Sequence, residues 1–306
     1  MIIAGEASGD LHAAKLVRAV HTLVPDIRFY GIGGSNMRAA SVDVLVDSKE
    51  LAVVGLVEIW AHRKVIFGAL DLMRAKLASD RPDLLILVDY PEFNLRLART
   101  AKQLGIKVFY YISPQVWAWR QHRVKKIRKL VDMMAVVFPF EEAFYTQHHV
   151  PVRFVGHPLV DEVRASAPPA QLRNDLQLAE NDRVIGLFPG SRRSEVKRLL
   201  PIILQSAECL RKTYPQTRFV LPLASTLDQE DINGYLQNYT HLNIRVIQQR
   251  TYDVMAVCDL IITVSGTVTL EIALIGTPLI IINKVNWLTY LLVHRMLKID
   301  HIGLCN

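Results

Sequence analysis

Short apolar runs of strand length alternate with helical stretches along this chain, and this alternation constrains the fold more than any other feature. In the first half, the runs are Met1–Ala4, Arg28–Ile32, Leu84–Asp89, Lys107–Ile112 and Met133–Phe138. Runs that are apolar at consecutive positions indicate strands covered on both faces, as in parallel sheets. Helical stretches such as Leu11–Val24 and Asn94–Leu104 lie between them, and Gly105 marks the end of the second. This order predicts a doubly wound α/β sheet.

The same pattern starts again after an interruption at 161–175. There the residues Ser166 to Ala170 read as a linker, because paired prolines stop helices. The strand candidates that follow are Val184–Phe188, Arg218–Leu221, Ile244–Ile247, Asp259–Val264 and Pro278–Ile282. We therefore predict two Rossmann-like domains, residues 1–163 and 164–306. Strands of both would direct their carboxyl ends at a ligand cleft between them.

Composition excludes several classes of protein. The longest apolar runs have strand length, so no membrane-spanning helix is expected. The amino-terminal residues carry acidic side chains and no basic region, which argues against a signal peptide. The three cysteines, Cys209, Cys258 and Cys305, have neither a disulfide nor a zinc spacing and suit a reducing cytosol. No metal and no cofactor are expected.

The net charge of +7 favours an anionic partner. Nucleic acid, a membrane surface and a phosphorylated substrate all fit this charge. No zinc-finger or RNA-binding motif accompanies the basic residues, so we do not expect nucleic acid as the partner.

Two loops of the first half are candidates for substrate contact. The segment from Gly5 to Asp10 joins the first strand to the first helix, and it either lets a ligand approach the backbone or forms a tight turn with Ser8 or Asp10 as a helix cap. Asp89 ends a fully apolar strand. Its carboxylate could take a proton from an acceptor hydroxyl, or it could cap the helix that contains Asn94.

A third loop, Ser113 to Arg120, carries two tryptophans and leads into a run of basic residues that ends at Lys129. Tryptophans beside a basic face are typical of a binding surface. A solvated helix face with the tryptophans turned to the core explains the same pattern.

The second half contains two candidate anion-binding loops. Gly190, Ser191 and Arg192 join a strand to a helix, where backbone N–H groups and a guanidinium suit phosphate oxygens. Ser265, Gly266 and Thr267 precede another helix, whose amino terminus suits a diphosphate. Glu271 lies one turn further on, within reach of a ribose hydroxyl pair. Two such loops in one half indicate a nucleotide.

Other motifs carry less weight. The glycines between Gly31 and Gly34 lack the spacing of the dinucleotide fingerprint, and no P-loop motif is present. The acidic run from Asp228 to Asp231 reads as surface. His148 and His149 have no companion ligands for a metal.

One amphipathic stretch, Lys64–Leu77, suggests contact with lipid. On a helical wheel one broad face is apolar, and the opposite face carries Lys64, Asp71 and Arg74. Such a helix packs on its own core or lies in a membrane interface. The stretch Trp287–Lys298 has the same character. We predict membrane contact through six side chains: Val65, Ile66, Ala69, Leu70, Leu72 and Met73.

Taken together, these motifs resemble the lipid A disaccharide synthase family. They are Gly5 to Asp10, Asp89 to Asn94, Ser113 to Arg120, Pro189 to Arg192, and Ser265 to Glu271, in family order over essentially the whole chain. The resemblance implies a GT-B fold of two Rossmann-like domains. It also implies inverting transfer of 2,3-diacylglucosamine from its UDP donor to 2,3-diacylglucosamine 1-phosphate, which forms a β-1,6 disaccharide 1-phosphate.

The resemblance also assigns residue roles. It implies Asp89 as the general base. It places UDP at Arg192, Ser265, Gly266, Thr267, Glu271 and Asn306, beside Gly190 and Ser191. Ser8, Gly9, Asp10 and His12 would form the acceptor or cleft loop. The implied location is the cytoplasm, at the periphery of the inner membrane. Both a monomer and a homodimer are compatible with the resemblance.

The family pattern continues beyond the last residues of this chain. Where the family has Leu-Pro-Asn and a further carboxy-terminal segment, the chain reads Leu304-Cys305-Asn306. We therefore expect an incomplete second domain. The alternatives are a non-catalytic fragment that binds UDP or lipid, and another GT-B enzyme that uses UDP-N-acetylglucosamine.

Overall fold

The computed structural model describes residues 1–51, 56–119, 121–224 and 226–284. The chain divides into two compact units, residues Met1–Pro158 and Leu159–Asn306. Each unit has its own parallel sheet with helices between consecutive strands.

The first unit contains a seven-stranded sheet in the order β3-β2-β1-β4-β5-β6-β7. Every pair of neighbouring strands is parallel. The strands are β1 Ile2–Ala4, β2 Tyr30–Gly33, β3 Asp43–Asp47, β4 Leu84–Val88, β5 Lys107–Tyr111, β6 Met133–Val136 and β7 Val152–Phe154. The α-helices are α1 Ala7–Leu23, α2 Ser35–Ala39, α3 Ser48–Leu51, α4 Leu56–Asp80, α5 Pro91–Gln103, α6 Val116–Trp119, α7 Val124–Leu130 and α8 Pro139–Gln147, with short 3-10 helices at Gln121–Arg123 and Pro158–Asp161.

Both faces of the first sheet are buried, which explains its continuously apolar strands. Ile3, Leu85 and Leu87 belong to the core on one face. Ile2 and Ile86, like Ala4 and Val88, belong to the core on the other face. Alternate residues of a strand point to opposite faces, so β1 and β4 each supply both cores.

The second unit contains a five-stranded parallel sheet in the order β10-β9-β8-β11-β12. Its strands are β8 Arg183–Phe188, β9 Thr217–Leu223, β10 Arg245–Gln248, β11 Leu260–Val264 and β12 Leu279–Ile282. Its α-helices are α9 Pro169–Asp175, α10 Arg193–Thr213, α11 Glu230–Leu236, α12 Thr251–Val257 and α13 Thr267–Ile275, with a 3-10 helix at Gln237–Leu242. The cores again alternate, because Ile185 and Leu187 face one side while Val184 and Phe188 face the other.

All ten predicted strands are confirmed, with ends shifted by one or two residues. Gly105, predicted to mark the end of a helix, follows α5 with a left-handed φ of 75°. The sequence missed β3 and β7. The prediction that Ser166 to Ala170 form a linker whose prolines stop helices was wrong in part. Pro168 is the N-cap residue of α9 and Pro169 its first residue, a position where the missing N–H of proline costs nothing.

Within the described residues, every helix is too short or too polar to cross a membrane. The membrane-contact prediction for α4 needs a correction. Ala69, Leu70 and Met73 are buried in the core of the first unit, and Ile66 packs against that core. Buried side chains do not contact lipid, so the prediction is wrong for Ala69, Leu70 and Met73. Ile66 is partly buried, and its lipid contact stays a prediction. Val65 and Leu72 are exposed. The stretch 287–298 lies outside the described residues.

Candidate functional site

Asp89 lies at a strained elbow between β4 and α5. The strand ends at Val88, and Asp89 and Tyr90 follow with φ values of 44° and 43°. Side chains disfavour this left-handed region, and each such residue costs about 1–3 kcal/mol. The N-cap residue of α5 is Tyr90, with no side-chain cap. The helix-cap alternative for Asp89 is therefore not what the structure contains.

Hydrogen bonds to backbone carbonyls stabilise this elbow. The Tyr110 hydroxyl donates to the carbonyl oxygen of Asp89 at 2.6 Å. The side-chain amide of Asn94 donates to the same oxygen at 2.7 Å and to the Val88 carbonyl at 3.2 Å. Asn94 is completely buried. These bonds fix the backbone of Asp89 and leave its carboxyl group out of the network.

The surroundings of Asp89 suit a base that works near neutrality. Burial raises the pKa of its carboxyl group to about 6, and the charge of Glu6 adds to this, while the backbone N–H of Tyr90 opposes it. A carboxylate with a raised pKa binds a proton more strongly than an ordinary aspartate. The elbow therefore presents a side chain that can accept a proton from a hydroxyl group.

Gly5 is required by the packing of this elbow. A Cβ atom at position 5 would lie 2.3 Å from Cδ1 of Tyr90, so only glycine leaves room for the Tyr90 ring. The Tyr90 hydroxyl in turn donates to the Leu51 carbonyl at 3.4 Å. The segment from Gly5 to Asp10, predicted as a loop, is partly helical, because α1 begins at Ala7.

Asp10 holds a neighbouring loop together. Its carboxylate accepts hydrogen bonds from the backbone N–H groups of Gly34, Asn36 and Met37 at 2.6, 3.0 and 3.1 Å. The Asn36 side chain adds a fourth at 2.9 Å. Asp10 is buried. These four donors hold the start of α2, so the structure assigns Asp10 a structural role, and its prediction as an acceptor contact is corrected.

The other predicted acceptor residues differ in their exposure. Ser8 is exposed, whereas Gly9 is buried and packs against Ala4. His12 is buried, and its Nδ1 atom has no hydrogen-bond partner. Burial, followed by the charges of His157 and Lys15, lowers the pKa of His12 to about 4. The exposed Ser8 and the neutral ring of His12 stay candidates for acceptor contact, whereas Gly9 can contribute only backbone.

The tryptophan loop is anchored on a buried carboxylate that the sequence did not reveal. Glu141 is 1% exposed. It accepts hydrogen bonds from the Ser113 hydroxyl at 2.6 Å and the Trp117 indole at 3.0 Å, and from the N–H groups of Val137 and Phe138. Trp117 is thereby fixed against the protein and is partly buried. Arg120 lies outside the described residues.

The two anion loops of the second unit meet in one pocket of about 960 Å³. Seven predicted nucleotide residues line it: Gly190, Ser191, Arg192, Ser265, Gly266, Thr267 and Glu271. They come from the carboxyl ends of β8 and β11, which are neighbours in the sheet. This edge of a parallel sheet is where ligands bind in such folds. The predicted Asn306 lies outside the described residues.

The Gly190 loop is shaped by Glu195. Its Oε2 atom accepts hydrogen bonds from the N–H groups of Ser191 and Arg192 at 3.2 and 3.3 Å, and its Oε1 atom contacts the Arg192 guanidinium at 3.1 Å. Gly190 has a φ of 103°, and a Cβ atom there would lie 2.4 Å from Glu195. The Arg192 side chain is otherwise exposed to the pocket. A phosphate can therefore bind its guanidinium.

The Ser265 loop presents a helix amino terminus and a carboxylate. Gly266 is the N-cap residue of α13, and a Cβ atom there would meet nothing within 4 Å. Glu271 follows on the same helix, and the Tyr252 hydroxyl donates to its Oε1 atom at 3.4 Å. Burial raises the pKa of Glu271, while the Tyr252 hydrogen bond opposes that rise. A helix amino terminus favours phosphate, and a carboxylate can accept hydrogen bonds from ribose hydroxyls.

The pocket wall also contains a segment that sequence reasoning missed, residues 248–253, which runs from the end of β10 through a two-residue loop into the first turn of α12. Asp253 accepts hydrogen bonds from Ser166, through its N–H at 2.7 Å and its hydroxyl at 2.9 Å, and pairs with Arg250 at 2.9 Å. No motif marks this loop. The signal available was its position at the carboxyl end of a strand. Among the described residues, no three potential metal ligands cluster.

Comparison with solved structures defines the class of fold. The UDP-GlcNAc 2-epimerase from Neisseria meningitidis bound to UDP-GlcNAc is similar with a TM-score of 0.60 and 15% identity, over 92% of this chain and 81% of that chain. The S. aureus MnaA-UDP co-structure gives 0.63 and 12%, over 99% and 83%. The glycotransferase of kitacinnamycin gives 0.58 and 16%, over 92% and 79%. The protein thus has the GT-B fold, with two parallel-stranded α/β units.

Comparison of sequences defines the family. A family model described as lipid-A-disaccharide synthetase matches residues 1–306. The lipid-A-disaccharide synthase of Geobacter sulfurreducens is 57% identical over all of this chain and 79% of its own length. That of Nitrosococcus oceani is 55% identical with the same coverage, and synthase 1 of Legionella pneumophila (strain Philadelphia 1) is 44% identical over 100% and 80%. The chain belongs to the lipid-A-disaccharide synthetase family and is a UDP-sugar glycosyltransferase.

Proposed function

We propose that this chain transfers 2,3-diacylglucosamine from UDP to 2,3-diacylglucosamine 1-phosphate, with inversion, to give the β-1,6 disaccharide 1-phosphate and UDP. The observation that carries the proposal is the pocket of the second unit, which gathers two anion loops and Glu271 from separate parts of the chain. The family to which the chain belongs supports the same reaction.

Asp89 is the proposed general base. The 6-hydroxyl oxygen of the acceptor attacks the anomeric carbon of the donor and forms the new C–O bond. The bond from that carbon to the diphosphate breaks, and the hydroxyl proton passes to the Asp89 carboxylate. A general base contributes roughly 10²- to 10⁴-fold to such a step. The raised pKa of Asp89 and its rigid backbone support this role.

The departing UDP is the proposed occupant of the second unit. Arg192 contacts the diphosphate, and the amino terminus of α13 at Gly266 and Thr267 stabilises the negative charge that develops on it. Glu271 accepts hydrogen bonds from the ribose hydroxyls. The chemistry needs one base and one anion site, and no covalent intermediate.

Peripheral contact with a membrane completes the proposal, because both sugar substrates carry acyl chains. Val65, Phe67 and Leu72 on α4 are exposed apolar side chains. The Arg96 guanidinium lies 5.5 Å from the centre of the Phe67 ring, and Arg99 is exposed on the same helix, α5. Exposed apolar groups beside cations suit a surface of anionic lipid.

Two experiments test this function. Turnover is measured with the acylated UDP-sugar and, separately, with UDP-N-acetylglucosamine. We expect transfer from the acylated donor alone, and conversion of UDP-N-acetylglucosamine in its place would contradict the proposal.

Membrane contact is tested by sedimentation with phosphatidylglycerol vesicles. Phe67→Asp is expected to reduce sedimentation, whereas Leu23→Asp, at an exposed apolar position on α1, serves as the control. Equal sedimentation of the two variants would refute the assigned surface.

A further inference from the structure

Tyr252 is a pocket residue to which the proposed reaction gives no part. It lies on α12, which follows the missed loop at the pocket wall, and α12 packs against α13, the helix of Glu271. Its phenol oxygen lies 3.4 Å from Oε1 of Glu271. Both side chains line the pocket and both are partly buried.

The pair has a fixed direction of hydrogen bonding. Burial and the charge of Glu271 raise the pKa of the Tyr252 phenol to about 12, so the phenol keeps its proton and donates. Glu271 is the acceptor. A donor at Oε1 restricts the rotation of the carboxylate, and its second oxygen and remaining lone pairs stay available.

We propose that Tyr252 is a positioning residue for nucleotide binding, which orients the Glu271 carboxylate so that it accepts hydrogen bonds from the vicinal hydroxyls of the ribose. The inference rests on the proposed contact between Glu271 and ribose. It deepens that proposal by naming the group that fixes the carboxylate.

Within the described part of the chain, the elements with the most contacts to the helix of Glu271 are α12, β11 and β12. The two strands carry no titratable side chain. On α12, Asp253 is held by Ser166 and Arg250. Tyr252 is therefore the group on these elements that acts on the Glu271 carboxylate.

The test is the affinity of the full chain for UDP, measured by calorimetry for the wild type, Tyr252→Phe, Glu271→Gln and the double variant. Tyr214→Phe is the matched control, since Tyr214 is an exposed tyrosine outside the pocket. We expect Tyr252→Phe to weaken UDP about 3- to 10-fold, as loss of one hydrogen bond of ordinary strength does. The double variant should bind no more weakly than Glu271→Gln, because Tyr252 acts through Glu271.

Two further readouts separate positioning from a general structural effect. Pyrophosphate, which lacks the ribose, should bind Tyr252→Phe as tightly as the wild type, whereas a distorted pocket would weaken both ligands. Removal of the phenol raises the pKa of Glu271, so the loss of UDP affinity on acidification should begin at a higher pH in Tyr252→Phe. Glu271→Gln provides the reference for the titration of UDP itself.

The outcomes distinguish the two proposals. If Glu271→Gln weakens UDP and Tyr252→Phe does not, the positioning role is wrong and the ribose contact stands. If Glu271→Gln leaves UDP affinity unchanged, the ribose contact is wrong and the positioning role fails with it. A Tyr252→Phe defect that persists in full on the Glu271→Gln background also overturns the inference.

Discussion

Replacement of Asn94 by alanine tests how the chain presents Asp89. The Asn94 amide donates two hydrogen bonds inside the first unit, to the carbonyls of Asp89 and Val88, and its side chain is completely buried. Each hydrogen bond contributes about 0.5–1.5 kcal/mol to the free energy of unfolding. Truncation of a fully buried side chain also removes packing contacts. We therefore expect a loss of about 2–4 kcal/mol in local stability for Asn94→Ala.

The assay is hydrogen exchange of the amides of β4 and α5, read alongside turnover. A loss of about 2–4 kcal/mol corresponds to roughly 30- to 700-fold faster exchange where these amides exchange by opening of this region. Tyr110→Phe keeps the ring and removes one donor to the Asp89 carbonyl, so it should lose about 1 kcal/mol. Both variants should turn over more slowly, because the strained backbone at Asp89 relaxes.

The matched control is Tyr111→Phe. Tyr111 follows on the same strand and belongs to the core of the opposite face of the sheet. Its replacement should leave exchange at the elbow and turnover unchanged. Wild-type exchange and wild-type turnover in Asn94→Ala would refute the argument that these hydrogen bonds hold the base in place.

Three further predictions concern the two proposed sites. Turnover should rise with pH through about 6 as Asp89 loses its proton. Glu6→Gln removes a neighbouring negative charge, so it should move this rise to lower pH in a pH–rate profile. A rise that stays at the wild-type pH would contradict the assignment of Asp89 as the base. Gly5→Ala should displace the Tyr90 ring and lower both turnover and melting temperature, whereas Gly68→Ala, where a Cβ meets nothing within 4 Å, should lower neither. Arg192→Ala should weaken UDP by about 10- to 100-fold in calorimetry, the loss of a charge-assisted contact, and equal affinity would exclude Arg192 from the diphosphate site.

The architecture was predictable because both faces of each sheet are covered. Such strands are apolar at consecutive positions, and ten of the twelve described strands were found on that signal. The two missed strands are the edge strands of the first sheet. Strand β3 begins and ends with aspartate, and β7 has three residues with arginine at its centre. These charged residues bound or interrupt short apolar stretches, so neither strand was recognised.

Roles that depend on a distant partner were not predictable. The donors to Asp10 come from residues 24 to 27 positions away, and the Ser113 hydroxyl meets Glu141 over 28 positions. Only the order of strands in the sheet brings these groups together. Likewise, a helical wheel identifies the apolar face of α4 but not what covers it, and Leu70 and Met73 turned out to face their own core.

The pocket residues of the second unit were predictable for a simple reason. Loops at the carboxyl ends of parallel strands share one edge of the sheet, so Gly190 and Ser265 meet whenever their strands are neighbours. The segment at 248–253 follows the same rule but lacks glycine and small hydroxyl residues in an obvious motif. Its contribution, including Tyr252, emerged only from the contacts in the pocket.

The transfer activity of Asp89→Asn tests the central claim most directly. The substitution keeps the shape of the side chain and removes its ability to take the acceptor proton. With the acylated donor and acceptor, we expect turnover to fall by about 10²- to 10⁴-fold, while calorimetry gives an unchanged affinity for UDP. Turnover close to that of the wild type, in a variant that still binds UDP, would contradict the assignment of Asp89 as the base of this glycosyltransferase.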